Sequence, residues 1–167
     1  IPRQVLLKND LAVLAVIAGN DWNRPIYFTS KFDELGFQGF LRRDGMAYRF
    51  VPVANEEVNN EWAFEKMMKD FKFGNANVKG VYFDEENRRH LNSLRLNVAQ
   101  IAQSLAAEGK KDSARQILQK LDTEISAKNL PYGMTSNRGN QHNYFSYLFL
   151  QAAYAAGDKA LAKIVGA

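Results

Sequence analysis

Between Leu91 and Ile125 the chain reads LNSLRLNVAQIAQSLAAEGKKDSARQILQKLDTEI, and no other stretch limits the fold so tightly. Leu94, Val98, Ile101, Ala102 and Leu105 recur at the spacing of one helical face. Ala114, Ile117, Leu118, Leu121 and Ile125 repeat that spacing beyond Gly109. Neither run can bury its stripe alone, so the pattern predicts a helical hairpin turning at Gly109, with both stripes facing a common core. A hairpin of this kind packs a partner and brings no catalytic group.

Counted from Gly109, the small Ala102, with Ile101, Leu105, Ala114 and Leu118, occupies the positions expected of a tetratricopeptide-like helix pair. The pattern partly recurs, since Ala155-Ala156-Gly157 and Ala162 echo Glu108-Gly109 and Ala114, with Leu150 in place of Ala102. Gly109 and Gly157 lie 48 residues apart, against a period of about 34 for such repeats. The polar segment SAKNLPYGMTSNRGNQHN absorbs the surplus and is expected to bulge from one face. About three repeats are needed to enclose a core, so residues 1–85 are expected to supply the missing packing surface.

In that first part, Asn9 or Asp10 is a candidate cap for LAVLAVIA, which is apolar on nearly every side, as befits a helix buried all round. Residues 25–29, opening at Pro25 and rich in β-prone side chains, read as a strand. FDELGFQGFLRRDG reads as a short helix and turn, and AYRFVPV as a second strand whose Pro52 suits an edge or an end. Phe64, Met67, Met68 and Phe71 mark a helix between Asn59 or Asn60 and Gly74. Asp84 opens the next helix, with Glu85 and Glu86 at its positive end. The expected class is α+β, predominantly α: tetratricopeptide-like hairpins packed on a small sheet and helices, with parts at 1–85 and 86–167 that are expected to form one compact unit.

Of the 167 residues, 46% are hydrophobic, which is enough to bury a core. The longest apolar run, Leu11 to Ala18, is far shorter than a membrane span requires. Opening at Ile1 without a signal-like run, the chain reads as a segment of a longer protein. With zero cysteines there is no thiolate chemistry, disulfide or cysteine-held zinc. The net charge of +4 is spread among carboxylates, so nucleic acid is not an expected partner.

His90 and His142 lack a ligand-spaced acidic residue or an HExxH frame and read as surface or loop histidines, so no metal and no cofactor is expected. Neither a nucleophile elbow nor a phosphate loop occurs. Asp33-Glu34 and Asp84-Glu85-Glu86 could form a carboxylate pair, although helix-start charge accounts for them more simply. Asp112 likewise marks a helix start. Trp22, Arg24, Tyr27, Arg49 and Tyr82 form the candidate ligand or partner surface, because a sugar or peptide backbone stacks on aromatic faces and bonds to planar donors. The plainer alternative packs them in the core. Tyr144, Tyr147 and Tyr154 are expected in the core.

Five segments in order, KNDLAVLAVIAGNDWNRPIYF, DGMAYRFVPV, MMKDFKFGN, VYFDEENRR and EGKKDSA, resemble the C-terminal soluble portion of large bacterial multi-pass membrane proteins similar to protein O-mannosyltransferases. The resemblance covers most of residues 7–118. It implies a parent held in the membrane by segments absent here, with any catalytic acids in loops between those membrane helices, so no catalytic residue is carried over. It also implies a periplasmic location for this part and a protein partner or acceptor polypeptide, with a glycan as a further ligand. Two alternatives stay open: a stand-alone tetratricopeptide-type scaffold, and a glycan-binding domain of a nutrient-uptake complex.

Overall fold

The computed structural model describes residues 5–30, 32, 35–54, 58–134 and 140–167. Among them lie six α-helices and a three-stranded antiparallel sheet, an α+β fold that is predominantly α, as the periodicities predict. The chain forms two compact units, Ile1–Asn59 and Asn60–Ala167. This division falls at 59/60, where the sequence reading places it at 85/86.

The first unit holds α1 (Lys8–Asn20), β1 (Tyr27–Phe28), β2 (Leu41–Asp44) and β3 (Ala47–Phe50). Asp10, at the third position of α1, accepts the Leu7 backbone N–H at 2.8 Å, which occupies one of the donors every helix start leaves open. α1 departs from expectation. Its stretch from Leu11 to Ala18 is entirely apolar, yet Asp10 is the only buried residue of the helix, and Leu11 and Val16 are 54% and 60% exposed. The apolar interior of this unit comes from Leu35, Leu41 and a set of rings: Phe28, Phe37 and Phe40 gather around Phe50, with Phe37 at 5.0 Å and Phe28 edge-on at 6.4 Å, and Phe32 stacks on Phe28. Aromatic pairs of this kind stabilise by about 0.5–1.5 kcal/mol beyond their buried area.

β3 is the central strand, flanked by β1 and β2. The first strand is shorter than residues 25–29, and the second stops at Phe50, leaving Pro52 beyond its end. LRRD, expected within a helix and turn, is β2. It pairs Leu41 with Phe50 and Asp44 with Ala47, and Gly45 turns the hairpin at φ 64°. The local glycine punctuation suggested a turn; the cross-strand ladder to β3 decides for a strand.

In the second unit, α2 (Asn60–Lys69) packs on α3 (Glu85–Ala107) and α4 (Lys111–Glu124), and α3 also packs on α5 (Gln141–Ala155), which turns into α6 (Lys159–Val165). The core comprises Val98, Ile101, Leu105, Ile117, Leu118, Leu121, Leu130 and Phe149, all less than 2% exposed or at 2%. Asp84 caps α3 by accepting the Asn87 N–H at 2.8 Å, and Glu85 and Glu86 lie in its first turn, so these acids serve the helix start. Asp112 sits in the first turn of α4. Asp33 and Glu34 lie outside the described residues.

The two hairpins share one turn geometry. Gly109 and Gly157 are left-handed at φ 82° and 75°. At the first turn Lys110 N–H donates to Leu105 O at 2.9 Å, and at the second Asp158 N–H donates to Ala153 O at 2.9 Å. Leu150, which replaces Ala102 in the second hairpin, has Gly166 as its neighbour, and the position equivalent to Gly166 in the first hairpin is Leu118. Large and small residues have therefore changed places.

Candidate ligand-binding cleft

α1 ends abruptly. Asp21 and Trp22 are both left-handed, at φ 45° and 58°, a conformation that costs a non-glycine residue about 1–3 kcal/mol. This double turn lays the Trp22 ring on Phe50, with centroids 5.5 Å apart and planes 13° from parallel. Phe50 supports one face of the indole, and the side chain remains 53% exposed.

The next residues then join the sheet. Phe50 N–H donates to Ile26 O at 2.9 Å, and Tyr27 stands opposite Arg49. Residues 22–25 and 49–52 together line a cleft of about 210 Å³, whose side chains include Trp22, Arg24, Arg49 and Pro52. Sequence neighbours on a strand point to opposite faces, so a cleft lined by both Arg49 and Phe50 lies across the end of β3. Its volume is below the roughly 300–1,000 Å³ of a site for a drug-sized ligand, which suits one ring or one side chain.

Charge in the cleft follows from the ladder. Arg42 and Arg49 stand directly opposite each other, an unfavourable like-charge pair. Arg42 is neutralised by the buried Asp44 through two parallel bonds of 2.8 and 3.0 Å. Arg24 and Arg49 have no ion-pair partner among the described residues. Two planar cations therefore border an open indole.

Three of the five expected residues, Trp22, Arg24 and Arg49, line one cleft, and Tyr27 adjoins it as the cross-strand partner of Arg49 while 44% exposed. Tyr82 does not join them. It belongs to the second unit, is 81% exposed, and lines a separate cleft of about 240 Å³ with Arg88 and Lys128.

The second unit holds a polar cluster that sequence reasoning passed over. Arg95 is 2% exposed and donates to Leu130 O at 2.7 Å, Pro131 O at 3.3 Å and Ser146 Oγ at 3.0 Å. Its guanidinium lies 4.4 Å from the centre of the Tyr132 ring, and burial lowers its pKa to about 10. Tyr132 donates its hydroxyl to Asp122 at 2.6 Å, and its phenol pKa is raised, by burial first and then by that bond. The available signal was an arginine between Leu94 and Val98, within the apolar stripe of α3. His142, expected at the surface or in a loop, lies on α5 and is buried at 4% exposure. Its Nε2 lies 2.7 Å from Pro131 O, so the proton sits on that nitrogen and is donated to the carbonyl. The cluster joins the 126–134 loop to α3 and α5.

Tyr144, Tyr147 and Tyr154 are corrected in the opposite direction. They are 57%, 54% and 64% exposed, on one face of α5, because Phe149, Ala152 and Ala153 turn the other face to the core. Tyr147, Leu150, Ile164 and Val165 border an open cleft of about 480 Å³.

No curated protein and no solved structure matches the chain. A family model described as TMEM260-associated domain 2 matches residues 1–72, a stretch that contains the first unit, α2 and the whole Trp22 cleft. Over those residues the chain is similar to that domain family.

Proposed function

We propose that this chain is a non-catalytic, extracytoplasmic part of a membrane-bound protein resembling protein O-mannosyltransferases, and that it holds acceptor polypeptide or its glycan for a catalytic centre elsewhere. The observation that carries this reading is the cleft of Trp22, Arg24 and Arg49, which lies inside the 72 residues similar to a TMEM260-associated domain. An open indole beside two planar donors offers binding without a nucleophile or a general base. Of the acids weighed as a carboxylate pair, Asp84 caps α3, and Glu85 and Glu86 lie in the first turn of that helix. Among the described residues no helix is long and apolar enough to cross a membrane.

The test is removal of this segment from the protein that carries it, with glycosylation of extracytoplasmic proteins followed beside the abundance of the truncated protein. A fall in glycosylation at constant abundance is expected; unchanged glycosylation would reject the reading. A scaffold role without glycan chemistry is the second reading. It is favoured by the exposed tyrosines of α5, since tyrosine supplies rigid amphipathic contact at low entropic cost.

A further inference from the structure

The Trp22 cleft carries more than a general capacity to bind. Its platform is an indole pinned from below by Phe50 at 5.5 Å and open above, which fits a flat face bearing C–H groups. Two cations border that platform, and Asp44 holds Arg42 rather than either of them. A cationic ligand would stack on the indole in isolation, but Arg24 and Arg49 repel it. A neutral ring would use the platform and leave both guanidinium groups merely solvated. The arrangement is complete for a ligand that has both a ring to stack and a carboxylate to meet a planar fork. The volume of about 210 Å³ admits a single ring.

We infer that the cleft recognises an acidic saccharide, a uronic acid residue whose pyranose face lies on Trp22 and whose carboxylate is bound by Arg24 and Arg49. This rests on the reading of the domain as an accessory to glycosylation, which selects a saccharide over an acidic peptide of similar charge. The double left-handed turn at Asp21 and Trp22, which ends α1 and seats the indole on Phe50, fixes the platform in place before a ligand arrives.

The test is a titration of the whole 167-residue chain carrying Trp62→Phe, which leaves Trp22 as its sole tryptophan. The probes are glucuronate and galacturonate oligosaccharides, their neutral glucose and galactose counterparts, and a glutamate-rich peptide, each followed by Trp22 emission and by calorimetry. Acidic saccharides are expected to shift the emission and to bind at least about tenfold more tightly than the neutral ones, the margin of one charge-assisted contact. Arg24→Gln and Arg49→Gln should each lower affinity by about tenfold, and Arg49→Lys should not restore it, because an ammonium lacks the planar fork. Circular dichroism of each variant checks that it is folded.

Equal affinity for neutral and acidic saccharides, tighter binding of the peptide, or no binding at all would overturn the inference. None of these outcomes touches the glycosylation assay of the truncated protein, so the two readings fail separately.

Discussion

Arg95 is a buried cation with no carboxylate against its guanidinium among the described residues, held instead by two carbonyls, a hydroxyl and the face of Tyr132. Removing it leaves buried acceptors without donors, so Arg95→Met is expected to lower stability by roughly 2–4 kcal/mol in urea unfolding. Arg95→Lys should recover less than half of that loss, since one ammonium cannot span the same acceptors and stack as well. His142, on α5 and bonded to the same loop at Pro131, has its pKa lowered by burial, against the opposing pull of that bond. The unfolded chain therefore takes up the proton more readily than the folded one. Stability is full above the ordinary histidine value of about 6.5 and falls as pH drops from there through the lower folded value. His142→Gln, which keeps a donor for Pro131, should flatten that acid limb. Unfolding midpoints measured from about pH 7.5 to pH 4.5 check this, and identical slopes in both proteins would contradict it.

At the level of elements, α1 shows how far pattern and environment can separate. LAVLAVIA carries apolar residues on every side and so reads as buried, yet none of its residues is buried, and the one buried residue of α1, Asp10, precedes it. Leu11→Glu and Val16→Glu are therefore expected to change stability by no more than about 0.5 kcal/mol each, the range of ordinary surface substitutions. Thermal unfolding of the two variants decides the point, and a loss of several kcal/mol would mean that the helix is packed. α3 and α4 behave in the opposite way. Their stripes lie in the core as spaced, because Leu94 through Leu105 and Ala114 through Leu121 repeat at 3.6-residue spacing over many turns. The cleft was legible in part: Trp22, Arg24 and Arg49 stood out as residue types, but nothing local to each showed that residues 22–25 would lie beside 49–52. Tyr82 had the same chemistry and a different place. LRRD was illegible because a four-residue strand has too few alternations to outweigh neighbouring glycines.

For the molecule as a whole, the two units draw on different sources of order. The second repeats one device, a left-handed glycine closing a helical hairpin, at Gly109 and again at Gly157, while exchanging large and small residues at Leu150 and Gly166. The first relies on a ring cluster around Phe50 and a three-stranded sheet. Periodicity and glycine placement alone determined the predominantly helical α+β class, the hairpin at Gly109 and the start of α3 at Asp84, since helical hydrogen bonds and caps join residues only a few positions apart. Tertiary structure alone decided which apolar helix lies open, which tyrosines face outward, where Arg95 finds its acceptors, and that Trp22 meets Arg49. Each of those outcomes depends on contacts between residues far apart in the chain, and spacing along a sequence carries no record of them.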